Sequence, residues 1–319
     1  MLQNMTFCLM RVNKILKYRA PNLALLGVLA RKTLINCAMM MVILTGVTSS
    51  ASAFELKPFK DRLFAYPNTL KSEDNGNYRI VDYKELRDIN ERDDVPVKRV
   101  NKRYIDMAGR RASKKSNVLT DYGRANYYYA GKSKSPTILT IYIHGSRGNG
   151  KQGMNDVSFG GNFNRIKMLM LKNNGLYLSP DAEAFGPKVE RKIIAIINKH
   201  NGGQAGRRII LACGSSGGEL CHRLSNNSEL APHIAGIAFL GSYGSDDYLT
   251  SLAVRAGVPT FIGHGSRDGV IPIAKMESFY AQLRQTGSPV QMVRFETGTH
   301  GTPIRMVDWR QTINWMLAN

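Results

Sequence analysis

Cysteine is scarce in this chain of 319 residues, with four in all: Cys8, Cys37, Cys213 and Cys221. So few exclude a disulfide framework. No HExxH, no paired CxxC and no comparable cluster of His, Cys and carboxylate occurs, so no metal site is expected. Nor is there a GxGxxG or Walker-type loop, which argues against a nucleotide cofactor, and none of any other kind is expected. Recognised nucleic-acid-binding motifs are also missing, and nucleic acid is not an expected partner. The apolar run Leu34 to Val47 falls short of the roughly 20 residues that span a bilayer, and no second long run follows. The first 53 residues contain no acid at all.

What that opening segment does contain is Arg11, Lys14, Lys17, Arg19, Arg31 and Lys32, then the apolar run, then TSSASAF. Ala51-Ser52-Ala53 supplies the small-residue pattern of a signal-peptidase site before Phe54. The segment 1–53 is therefore read as a cleaved export signal, with a membrane anchor as the rival. A lipoprotein anchor at Cys37 is disfavoured because Asn36 stands where a small residue is required. Cleavage lowers the formal charge from +20 to +14, by the six cations named. The expected product is an exported protein, periplasmic or secreted. Cys213 and Cys221 would end a strand and sit a turn into the next helix, and are read as reduced and buried, with pairing as the alternative.

Residues 54–99 are polar and read as an N-terminal extension. The stretch VKRVNKRYIDMAGRRASKKSN then carries eight Lys or Arg and one acid. From Thr137 short apolar runs alternate with amphipathic stretches, the pattern of βα units around a parallel sheet. Strands are expected at 137–144, 175–179, 207–213, 234–241, 259–265 and 290–296, with RYIDM and RANYYYAG as two more. Helices are expected around Phe163, Ile166 and Met170; around Val189, Ile193, Ile196 and Ile197; around Ile273, Met276, Phe279, Tyr280 and Leu283; and around Trp309, Ile313 and Met316. These residues recur three or four apart, and a Gly closes the first three stretches. The fold class is α/β: a mostly parallel eight-stranded sheet with helices on both faces, occupying residues 100–319.

Between RRIILAC and the helix opening GELCHRL lies GSSGG, which reads as G-x-S-x-G centred on Ser216. A strand-to-helix turn with flanking glycines lifts a hydroxyl above the sheet, and the helix N-terminus favours developing negative charge. Ser215 is the competing position, one place early in the motif. An activated serine needs a base, and the base needs an orienting carboxylate. HGSRDGVIP places Asp268, and GTHG places His300, just past strands, at the edge where open α/β sheets bind ligands. Asp246 and Asp247 are the rival acids.

With the order Ser216, Asp268, His300, the chain resembles the α/β-hydrolase superfamily from about Arg103 to its C-terminus. Within it the sequence is most similar to the compact carboxylesterase, phospholipase and dienelactone-hydrolase-like branch. HGSR occurs twice, at His144 to Arg147 and His264 to Arg267, and the flanks do not align as a repeat. The resemblance gives the first copy a role: an oxyanion hole from the amides of Gly217 and Ser146, or alternatively Arg147. His144 and His264 read as strand-end structural residues, and His200, His222 and His233 as surface or helix residues. Only Gly241 to Gly257 separates two strands where many lipases carry a cap, so no large cap domain is expected.

Two function classes follow. One is an exported serine hydrolase of carboxylic esters, acting on an envelope lipid or polysaccharide ester. The other is a non-catalytic hydrolase-fold protein that binds an anionic surface through Lys98 to Lys115. The partners expected are thus an ester substrate, an anionic lipid or polysaccharide, and a membrane surface. The other reading of the basic stretch is a solvated pair of strands with exposed Lys and Arg.

Overall fold

The six residues Ile138–Ile143, five of them hydrophobic, form a strand with no exposed member. Only a strand covered on both faces tolerates such a run. In the computed structural model, which describes residues 54–94, 97–201 and 208–319, this strand lies near the middle of a ten-stranded sheet. The expected signal segment 1–53, with Cys8 and Cys37, lies outside the described residues.

The strands are β1 (Thr69–Glu73), β2 (Tyr78–Asp82), β3 (Asp93–Asp94), β4 (Arg99–Val100), β5 (Lys114–Thr120), β6 (Gly123–Gly131), β7 (Ile138–Ile143), β8 (Leu176–Pro180), β9 (Arg208–Gly214), β10 (Ile234–Leu240), β11 (Thr260–Gly265) and β12 (Val290–Glu296). The helices are α1 (Asp61–Phe64), α2 (Met107–Arg111), α3 (Gly150–Met154), α4 (Asn162–Lys172), α5 (Pro187–Asn201), α6 (Gly218–Ser225), α7 (Asp246–Leu249), α8 (Leu252–Arg255), α9 (Ile273–Gln285), α10 (Thr302–Met306) and α11 (Trp309–Ala318).

The sheet runs β1-β2-β12-β11-β10-β9-β7-β8-β6-β5. From β2 to β8 every neighbouring pair is parallel. Antiparallel β1 closes one edge, and β6 and β5 the other. The period-2 alternation of the strands sorts their side chains into two cores. Leu139, Ile141, Ile143, Ile209 and Leu211 meet α5, α6 and α9 on one face. Ile138, Tyr142, Ile210 and Ala212 meet Phe163, Ile166, Trp309 and Ile313 on the other.

The fold is the α/β architecture expected, with ten strands instead of eight. β1, β2 and β5 come from polar sequence, and RYIDM is not a strand. Its first residues end a 3-10 turn at Lys102–Tyr104, and Asp106 caps α2 by accepting from the Ala108 amide. Residues 54–99, read as an extension, contribute β1 and β2 to the sheet. They are also locked down by ion pairs: Arg305 with Asp93, whose side chain is fully buried, and Arg165 and Arg310 with Asp61. Only the two short helices α7 and α8 occupy the β10–β11 connection.

Candidate active site

β8 and β9 lie on opposite sides of β7. The chain therefore reverses its direction of progress at this point, and the loops after β7 and β9 diverge to leave a crevice at the carboxyl ends of the strands. The first HGSR follows β7, and GSSGG follows β9.

At the end of β9 the backbone turns into α6 through Ser215, whose φ of 52° lies in the left-handed region that non-glycine residues rarely adopt. Ser242 Oγ donates to the Ser215 carbonyl at 2.6 Å and steadies this turn from beneath. Gly217 allows it, because a Cβ there would stand 2.6 Å from the His144 carbonyl and 2.7 Å from that of Ile143. A disulfide between Cys213 and Cys221, with Cα atoms 6.4 Å apart, ties the end of β9 to the first turn of α6. The reading of these cysteines as reduced is thereby corrected. The sharp turn brings the strand end and the helix back within bridging distance, which the linear spacing did not reveal.

The side chain presented by the turn is that of Ser215. His300 Nε2 lies 2.8 Å from Ser215 Oγ, and His300 Nδ1 lies 2.7 Å from Asp268 Oδ2. Ser216, the residue expected at this point, is instead paired with the other loop. Its Oγ accepts from the Ser146 amide at 2.7 Å and lies 2.7 Å from Ser146 Oγ. The expected register was off by one. The small residues that flank the apex are Cys213 and Gly217, not Gly214 and Gly218. The expectation for Gly217 shifts with it. Its place is a close backbone approach to β7, and the amide that follows Ser215 is that of Ser216.

Asp268 is held by three kinds of donor. Its Oδ1 accepts from the amides of Val270 and Ile271 at 2.8 and 3.0 Å. Its Oδ2 faces His300, and His264 Nε2 stands 3.2 Å away while lying 2.8 Å from the Ile271 carbonyl. A carbonyl can only accept, so His264 carries its proton on Nε2. Burial lowers the His264 pKa, with the Ile271 carbonyl and Asp268 opposing, so this imidazole is neutral near pH 7. Asp246 and Asp247 are exposed in the first turn of α7 instead.

The loops that carry these groups are cross-braced. The Arg267 amide donates to the Gly298 carbonyl at 2.8 Å, and the Thr297 amide donates to Ser266 Oγ at 2.7 Å. The second HGSR thus fixes the loop bearing His300. In the first copy, His144 Nε2 accepts from the Ala182 amide at 3.0 Å, so Nδ1 holds the proton and donates to the Gly145 carbonyl at 2.8 Å. The Gly148 amide donates to the same carbonyl, closing a tight turn at Arg147. Gly145 lies so close to the apex that a Cβ would fall 2.7 Å from Ser215 Cβ. His200 and His222, expected at the surface or on helices, are helical and buried, and His233 is half-buried.

No protein-family model matches the sequence, and no curated protein matches it. Solved structures do match. A thermostable esterase superposes with a TM-score of 0.51 at 14% identity, over 65% of this chain and 63% of that one. A lipase in its open form superposes with a TM-score of 0.51 at 10% identity, over 65% of this chain and 98% of the other. The chain therefore spans less than two thirds of the esterase's length and nearly all of the lipase's.

Proposed function

We propose that this chain, which has the α/β-hydrolase fold, is an exported serine hydrolase of carboxylic esters with Ser215 as nucleophile, His300 as base and Asp268 as its orienting acid. The observation that carries the reading is the continuous hydrogen-bonded line from Ser215 Oγ through both nitrogens of His300 to the buried Asp268. Esterase and lipase neighbours of the same fold support the ester as the bond attacked.

In this mechanism Asp268 keeps the His300 proton on Nδ1, which leaves Nε2 free to take the Ser215 proton as Oγ attacks the ester carbonyl. Negative charge then develops on the carbonyl oxygen. The Ser216 and Ser146 amides stabilise it, the oxygen displacing the Ser216 hydroxyl that the Ser146 amide now holds. His300 gives its proton to the departing alkoxide, and an acyl-Ser215 ester remains. A water molecule, deprotonated by His300, attacks that ester, and the proton returns to Ser215 as the acid leaves.

The short β10–β11 connection leaves the site open, which suits short acyl groups or esters displayed on a large envelope lipid or polysaccharide. A fluorophosphonate probe tests the assignment. Labelling is expected on Ser215, lost in Ser215→Ala and retained in Ser216→Ala. Unlabelled native protein would sink the enzyme reading and leave the non-catalytic one, in which the fold only binds an anionic surface.

A further inference from the structure

Away from the triad, the fold contains a hollow of about 600 Å³ between the β3–β4 hairpin, α2 and the chain that follows α3. That volume lies within the range of sites that hold small organic ligands. Ser215, Asp268 and His300 are not among its walls. Val157 lines it, and the Phe159 ring lies 3.5 Å from where a Gly301 Cβ would be.

Three cations, Arg99, Lys102 and Arg110, border the hollow, and all three are exposed. None of their side chains has a hydrogen bond or ion pair to any described residue. Two acids also line the hollow. Asp156 is already satisfied by the buried Lys167 at 2.7 Å and by Asn164. Asp94 offsets one cation, leaving a net surplus of two positive charges at the mouth. The walls beneath are apolar: Val100, Ile105, Met107, Met154 and Val157. Met107 is 43% exposed, so part of its side chain is open to a ligand.

A cationic mouth over an apolar wall matches a ligand with an anionic head and a hydrocarbon tail. We infer that this hollow binds a single-chain anionic amphiphile, its phosphate or carboxylate between Arg99, Lys102 and Arg110 and its chain against Met107, Met154 and Val157. The apolar wall distinguishes this from an inorganic anion site. The unmatched cations distinguish it from a plain hydrophobic groove. Three cations against one free acid leave the mouth electropositive, which favours an anionic head.

Calorimetric titration of the full chain with monomeric dodecyl phosphate tests this, with inorganic phosphate and dodecyl maltoside as the head-only and tail-only probes. Dodecyl phosphate is expected to bind at one site, about tenfold or more tighter than either control. Reversal to Arg99→Glu, Lys102→Glu and Arg110→Glu together is expected to weaken it by about a hundredfold or more. Met107→Ser is expected to weaken dodecyl phosphate and leave any residual phosphate binding untouched. A thermal midpoint within a few degrees of native in the reversal variant separates lost binding from lost fold, and fluorophosphonate labelling of Ser215 should persist. Equal affinity for inorganic phosphate or for dodecyl maltoside would overturn the proposal. So would unchanged affinity in the reversal variant, or binding to anionic vesicles without binding of the monomer.

Discussion

Ser215 and Ser216 differ by one position and by everything around them. The first lies 2.8 Å from His300 Nε2, and the second accepts from the Ser146 amide. Ser215→Ala is expected to lower ester hydrolysis by on the order of 10⁴-fold or more, since loss of a triad nucleophile leaves only binding and oxyanion stabilisation. Ser216→Ala removes a hydroxyl but keeps the amide that follows Ser215, and should stay within about tenfold of native kcat/KM. Steady-state kinetics on a soluble p-nitrophenyl ester measures both, and the reverse ranking would refute the assignment. The meeting of Asp268 and His300, 2.7 Å apart, could be anticipated from the sequence because each lies a few residues past a clear apolar strand. The serine register could not. GSSGG and CGSSG offer overlapping frames, and the choice is made by the Gly217 approach to the His144 carbonyl, a contact between residues 73 apart in the chain.

The elements most readable in advance were β7 to β12 and the four long helices, whose periodicity follows from burial on one or both faces. β1 was unreadable for the opposite reason. All five of its residues are exposed, and it is a strand only because β2 offers an antiparallel partner. β5 alternates exposed and half-buried residues in a run rich in Lys and Ser, so its pattern carries little contrast. The β9–α6 junction adds a covalent element of its own. Closing a loop of eight residues' separation removes unfolded-state entropy worth about 2–3 kcal/mol. The double variant Cys213→Ser, Cys221→Ser should lose about that much in urea denaturation, and a thiol assay on the unfolded native chain should find neither sulfur free. An unchanged midpoint with Cys213 and Cys221 both reactive would show the bridge to be absent.

Across the whole molecule, acid is expected to weaken the fold through His222. Its imidazole is enclosed by Phe239, Tyr243 and Tyr248, with Nδ1 3.1 Å from Ser245 Oγ. Burial lowers its pKa to about 4, opposed by the Tyr243 backbone and by Asp247. In the unfolded chain the value is about 6.5. Above that pH neither state holds the proton. As pH falls from about 6.5 to 4 the unfolded state takes it up first, so stability declines by about 3 kcal/mol across that window and then levels. Comparing denaturation at pH 7 and pH 4 in native protein and His222→Gln isolates this share. The variant should lose about 3 kcal/mol less over the interval, and an identical loss would remove His222 from the account.

The two margins of the ten-stranded sheet have a consequence for how copies of the chain meet. An open sheet edge is a row of unpaired amides and carbonyls that invites another strand to add on. Here one margin is β1, TLKSE, with Lys71 and Glu73 exposed and bridged at 2.8 Å. The other is β5, KKSNVLT, which begins with exposed Lys114 and Lys115 and is braced by Lys199 against Ser116 and Asn117. A second molecule approaching either margin would have to strip water from lysines and bring like charges together. The same polar character that hid these strands in the sequence protects the protein against edge-to-edge aggregation.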